Sequence, residues 1–131
     1  YLQDLLWAEC ESTWWEMTAH EQAGAPIDLR AAMNGFNYSL IATMFSNKLG
    51  GEVTDRVLSE VRTRILEKYL DPGCHYWWHR HTNNWNAVCN GAIGLAAMIV
   101  ESTARSSYCL TCTLTSWNHV FGSSSAHGDP P

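Results

Sequence analysis

Apolar residues recur every three to four positions along most of the first 103 residues, which is the spacing of amphipathic helices. This recurrence predicts four helices, at about residues 2–17, 28–46, 52–70 and 84–103. The predicted buried face of the first helix consists of Leu2, Leu6, Cys10 and Trp14. The predicted buried face of the second consists of Leu29, Met33, Phe36, Leu40 and Met44.

The segments between these helices contain residues that begin and end helices. Asp28 is a suitable N-cap, and the Gly50-Gly51 pair and the run Asp71-Pro72-Gly73 are strong breakers. The third helix has one apolar face and belongs on the outside, whereas the fourth is apolar on most sides and belongs between neighbours. The predicted fold class is therefore all-α, an αα-hairpin array such as a solenoid or a toroid. Two hairpins cannot cover their own inner helices, so we expect partner helices beyond this array.

The C-terminal segment has a different character. Residues 106–131 are rich in Ser, Thr, Cys, Gly and Pro and lack a helical period. We therefore divide the chain into a helical domain over residues 1–104 and an irregular tail over residues 105–131. Two interpretations of this tail stay open, a poorly ordered native tail and sequence foreign to the domain, such as a frameshift product.

Composition and charge narrow the classes of partner. The 131 residues are 46% hydrophobic and 16% charged, which is typical of one globular domain. The formal net charge of −5 argues against a nucleic-acid partner, because such partners require a basic face. No apolar stretch is long enough for a membrane span. The five cysteines are an odd and sparse set that does not indicate a disulfide scaffold, so the compartment stays open.

Residues 74–86 concentrate the candidate chemistry, with three His, one Arg, three Trp, one Tyr and three Asn. The segment links an outer helix to a buried one, and such loops commonly carry binding residues. Trp faces stack on sugar rings, while Arg, His and a helix N-terminus attract carboxylates. The segment therefore predicts a site for an acidic polysaccharide.

Other interpretations compete with this one. The aromatic residues of the segment could simply fill the end of the core, and Asn83 or Asn84 could be only an N-cap. A zinc site is a rival, since its potential ligands are Cys74, His75, His79, His81 and Cys89, but their spacing fits no common zinc motif. A Cys nucleophile is disfavoured because Cys89 falls inside an apolar helix. We predict no metal and no other cofactor. His20-Glu21, in the first loop, is a second candidate for the site.

The sequence around this segment resembles a known enzyme family. His75-Tyr76-Trp77-Trp78, followed by Asn83-Asn84-Trp85-Asn86-Ala87-Val88-Cys89-Asn90-Gly91, is similar to the central motif of heparinase II/III-like polysaccharide lyases. The similarity extends over roughly residues 1–104. It implies a partial (α/α) toroid that lacks the remainder of the toroid and the β-sandwich domain that normally follows. It also implies a periplasmic or secreted location.

The resemblance implies β-elimination at a uronic acid. In this reaction the uronate carboxylate is neutralised, a base removes the C5 proton, and an acid protonates the departing glycosidic oxygen. Asn83 and Asn84 match the positions that contact the carboxylate and are the predicted catalytic residues. The predicted substrate-binding residues are His20, Trp78, Arg80, His81 and Trp85.

One departure from the family concerns the catalytic Tyr, which lies in a Gly-rich loop that we do not find here. Tyr108 is too close to the fourth helix and has the wrong neighbours. We therefore expect a lyase fragment that is inactive in isolation. Two alternatives stay open, a non-catalytic carbohydrate-binding helical module and a helical-repeat interaction domain.

Overall fold

A computed structural model describes residues 1–21, 24–101 and 103–121, with the side chains of Arg80, Thr103, Arg105, Ser106 and 117–121 left out of the description. Within these ranges the chain is all-α, which confirms the predicted fold class. The α-helices are Leu2–Glu11 (α1), Leu29–Met44 (α2), Ser46–Leu49 (α3), Gly51–Val61 (α4), Glu67–Leu70 (α5), Asn84–Val100 (α6) and Thr103–Phe121 (α7). A π-helical turn, Arg62–Leu66, joins α4 to α5, and two short 3-10 helices span Thr18–His20 and Trp77–Arg80. No described helix has the length and apolar character needed to cross a bilayer.

Helix α1 ends six residues earlier than its hydrophobic pattern predicts. The Arg64 guanidinium donates hydrogen bonds to the carbonyls of Cys10 and Ser12, at 3.0 and 2.7 Å, and so satisfies the end of the helix. The chain then turns, so that Trp15 is buried and Trp14 is 61% exposed. The prediction that Trp14 belongs to the buried face is therefore wrong.

The main core lies where α2 packs against α6. The buried residues of α2 are small, namely Ala31, Ala32, Gly35, Ser39 and Ala42. Ala31 and Ala32 share the main core with Ala92, Ile93, Ala96 and Ala97 of α6, whereas Gly35 lies against Ile65 and Ala42 packs in a second cluster with Leu6 and Cys10. Small side chains let the two backbones approach closely, so the face of α2 that carries them is buried and the face that carries its methionines is not. Met44 is 68% exposed, which corrects its predicted place on the buried face.

Helix α7 corrects the prediction of an irregular tail for residues 105–121. Cys109 and Thr113, one turn apart, are buried, and α7 packs along α6. Threonine hydroxyls of α7 form hydrogen bonds within the helix, since Thr111 Oγ1 donates to the Ser107 carbonyl and Thr115 Oγ1 donates to the Thr111 carbonyl. Tertiary contact thus supports a helix where composition disfavours one. The remaining tail, residues 122–131, lies outside the described residues.

Candidate functional site

Four aromatic and imidazole side chains meet at the N-terminal end of α6, and we call them the aromatic surface: His20, Trp77, His81 and Trp85. The Trp77 and Trp85 rings lie 5.2 Å apart between centroids. His20 contacts Trp85 edge-on at 4.8 Å, and His81 lies 5.7 Å from Trp77. The structure thus brings together three of the predicted substrate-binding residues, His20, His81 and Trp85, although His20 lies more than 50 residues before the other two in the chain.

Trp77 is a member of this surface that sequence reasoning did not select as a site residue. It is exposed, whereas its neighbour Trp78 is 1% exposed and donates its indole N–H to the Ile27 carbonyl at 3.2 Å. Trp78 also stacks with Tyr69, with ring centroids 6.5 Å apart. A ring with almost no exposed surface has no face for a sugar, so Trp78 is a core residue and not part of the candidate site.

His20 is held in place by a buried carboxylate. Its Nδ1 lies 2.8 Å from Asp28 Oδ2, and Asp28 is itself fixed by the backbone N–H groups of Met17 and Ala31, at 3.0 and 2.7 Å. A carboxylate at Nδ1 orients the imidazole and leaves Nε2 for a ligand. Asp28 was predicted only as the N-cap of α2, a role it does perform. The local sequence pattern indicates the N-cap but gives no sign that the same carboxylate also contacts His20.

The two predicted catalytic asparagines differ in their contacts. Asn83 is the N-cap of α6, and its side-chain oxygen accepts a hydrogen bond from the Asn86 backbone N–H at 3.1 Å. Asn84 is exposed at the first position of the helix. Both residues adjoin the positive end of α6, which favours an anionic group. Their catalytic role stays a prediction. The Arg80 side chain lies outside the described residues.

Two further asparagines, both in α6, are structural. Asn86 is fully buried, and its amide nitrogen donates to the carbonyls of Trp78 and His79, both at 3.0 Å. Asn90 Oδ1 accepts the Tyr69 hydroxyl at 2.7 Å. The Asn90 bond joins α5 to α6, whereas the two Asn86 bonds attach the 3-10 helix Trp77–Arg80 to α6. The Asn86 bonds therefore help to set the position of Trp77 beside Trp85.

The described residues give little support to the two rival interpretations, a zinc site and a Cys nucleophile. No three His, Cys, Asp or Glu side chains there converge as metal ligands. Burial, with a smaller contribution from Asp28, raises the pKa of the Cys89 thiol to about 12, so this thiol stays protonated. Burial also raises the pKa of Tyr69 and of Tyr76 well above the usual range. Neither phenol is therefore suited to removing a proton at neutral pH.

No family model matches the chain, and no curated protein sequence matches it either. The function must therefore be inferred from the residues and geometry of the site.

Proposed function

We propose that this chain is a fragment of a polysaccharide lyase of the heparinase II/III-like class and carries its uronate-binding face. The observation that carries the proposal is the aromatic surface beside the N-terminus of α6, with His20 held by Asp28 at 2.8 Å. In this proposal the helices form part of an (α/α) toroid, and the ligand is an acidic polysaccharide.

The chemistry of the surface supports such a ligand. Trp77 and Trp85 offer indole area against which a pyranose ring can pack. His20 and the first N–H groups of α6 offer donors to a carboxylate, and Asn84 adds a neutral amide. Neutralising the carboxylate lowers the cost of removing the C5 proton, which is the difficult part of β-elimination.

The chain is proposed to bind substrate without turning it over. Tyr69 and Tyr76 are buried and engaged, since Tyr69 donates to Asn90 Oδ1 and Tyr76 donates to the Lys68 carbonyl. The base and the acid would then come from the remainder of the toroid and the β-sandwich. A helical module that binds carbohydrate without catalysis uses the same surface and is the second candidate.

Calorimetric titration with acidic tetrasaccharides tests the binding proposal. We expect Trp85→Ala to weaken the binding of a uronate-containing tetrasaccharide by roughly tenfold, because a stacking face is lost. The matched control is Trp7→Ala, which removes a partly exposed tryptophan of α1 outside the aromatic surface. Binding that is equal in the two variants would contradict the proposal, as would failure of every uronate to bind.

Absorbance of the unsaturated uronate product separates the two candidates. The chain should release none by itself. A longer form of the protein that includes the missing toroid helices and sandwich should release it if the parent is a lyase. A longer form that binds the same oligosaccharides without forming product would favour the non-catalytic module.

A further inference from the structure

We propose a second sugar subsite beside the aromatic surface, formed around Trp14 and Glu16, that takes an uncharged pyranose ring. It rests on the proposed function, since the ring would belong to the same polysaccharide. The inference also narrows the substrate class, because it calls for a polymer in which an uncharged sugar lies next to a uronate.

A buried carboxylate without a partner is the first observation. Glu16 is 8% exposed, and its Oε2 has no hydrogen-bond partner among the described residues. An acceptor that is removed from water and left unpaired destabilises the folded protein. A rotation of the Glu16 side chain toward the cavity would bring this oxygen within reach of a sugar hydroxyl, which would donate to it and remove that cost.

The second observation is an open cavity of about 600 Å³ into which this residue faces. That volume lies within the range of small-molecule sites. Trp14, which is largely exposed, forms one wall and offers an indole face to a ring. The remaining lining residues are Thr18, Glu21, Gly24, Pro26, Lys68 and Cys74.

The charges of the cavity select the kind of ring. Glu16 and Glu21 face it together with one cation, Lys68, so its acidic groups outnumber its basic ones. A uronate carboxylate would meet like charge here, whereas hydroxyl groups would find acceptors. An uncharged ring is therefore favoured over a second uronate.

The cavity adjoins the aromatic surface along the chain. The 3-10 helix Thr18–His20 contributes Thr18 to the cavity and His20 to the aromatic surface. The same loop is tied to the segment after α5, because the His75 backbone N–H donates to the Gly24 carbonyl at 3.3 Å. One oligosaccharide could therefore contact both sites.

NMR of the isotope-labelled full chain tests the subsite through its tryptophan indole N–H signals. The probes are a hyaluronan tetrasaccharide, which alternates uronate and uncharged sugar, and an alginate tetrasaccharide, which contains only uronates. We expect both to shift the Trp85 signal and only the mixed probe to shift the Trp14 signal. We also expect the mixed probe to bind roughly fivefold more tightly.

The outcomes separate this inference from the proposed function. A Trp85 shift without a Trp14 shift, or equal affinity for both probes, overturns the subsite and leaves the uronate site standing. A Trp14 shift without a Trp85 shift supports a sugar site here and overturns the aromatic surface as the uronate site. No shift at either tryptophan overturns both.

Two variants test the role assigned to Glu16. Glu16→Met removes the unpaired oxygen at similar volume, so we expect a higher thermal midpoint together with loss of the preference for the mixed probe. Trp14→Ala should lose the same preference without unfolding, because the side chain is exposed, and Trp7→Ala should keep it. A purely structural Glu16 would give the opposite result, a lower midpoint with the preference intact.

Discussion

Glu16 makes the stability of the fold depend on pH. Burial, followed by the nearby charges of Asp28 and Glu21, raises its pKa above the ordinary value of 4.5. The folded state therefore keeps this proton at pH values where the unfolded chain has released it. The contribution to stability is fully present below pH 4.5 and is lost as pH rises through the raised pKa.

We accordingly predict that Glu16→Gln flattens the fall in the free energy of unfolding as pH rises above this value, because the amide does not titrate. Urea denaturation at a series of pH values measures the slope. Glu52→Gln, at an exposed position in the first turn of α4, is the control and should keep the slope of the wild type. An unchanged slope in Glu16→Gln would contradict the burial of its carboxyl group.

Asp28 combines a cap with the orientation of His20, and two substitutions separate these roles. Ser and Asn are both good N-caps, but neither keeps an acceptor for His20, because Ser is too short to reach it and Asn, with its one oxygen at the cap, turns an NH2 group toward Nδ1–H. We predict that Asp28→Ser and Asp28→Asn each weaken uronate binding roughly tenfold, about as much as His20→Ala, because the cap is kept and the orientation of His20 is lost. The measurement is calorimetric titration. Wild-type affinity in Asp28→Ser would show that the His20–Asp28 contact has no part in binding.

At the scale of elements, one amide attaches the 3-10 helix Trp77–Arg80 to α6. Asn86→Ala leaves the carbonyls of Trp78 and His79 without this donor, so we predict a loss of about 1–3 kcal/mol in the free energy of unfolding. Uronate affinity should fall as well, because Trp77 loses its fixed position. Asn37→Ala, at an exposed site of α2, should change stability by no more than about 0.5 kcal/mol. Equal effects of the two substitutions in denaturant titrations would contradict the assigned role of Asn86.

The sequence predicted the bounds of a helix well where the residues that fix them are close in the chain, and poorly where those residues are distant. Helices α2 and α6 begin at caps, Asp28 and Asn83, that accept from backbone N–H groups three residues away, and their predicted starts agree with the structure to within a residue. The end of α1 was mispredicted because its determinant, Arg64, lies more than 50 residues away. Helix α7 was missed because it depends on contact with α6, which composition does not reveal.

The site was predictable to a similar extent. The sequence singled out a dense cluster of His, Trp and Asn, and His20, His81 and Trp85 do lie on one surface. That this surface binds a ligand stays a prediction. The sequence could not show which of two adjacent tryptophans faces inward, because neighbouring side chains of a 3-10 turn point about 120° apart and the pattern does not reveal how the turn is oriented on the core. Nor could it show that Glu16 is buried without a partner, since that depends on how the loop after α1 folds back.

At the scale of the whole molecule, the face formed by α6 and α7 is apolar and exposed. Helix α6 contains no Asp, Glu, Lys or Arg, and a groove of about 250 Å³ runs between the two helices. Met98 and Leu114 line it and are 52% and 57% exposed. A continuous apolar face of this kind favours association. In the proposed toroid, further helices would cover it.

We predict that the chain by itself associates as its concentration rises, and that this face is responsible. The double substitution Met98→Lys and Leu114→Lys should suppress association while changing the free energy of unfolding by no more than about 1 kcal/mol, because both side chains are already solvated. Met44→Lys adds a charge at a more exposed methionine of α2 outside the groove and should leave association unchanged. Sedimentation velocity at several concentrations measures the effect. A wild-type chain that stays monomeric would contradict this prediction, and so would equal suppression by Met44→Lys. Either result would show that this face does not drive association and would remove the physical reason for expecting further helices to cover it.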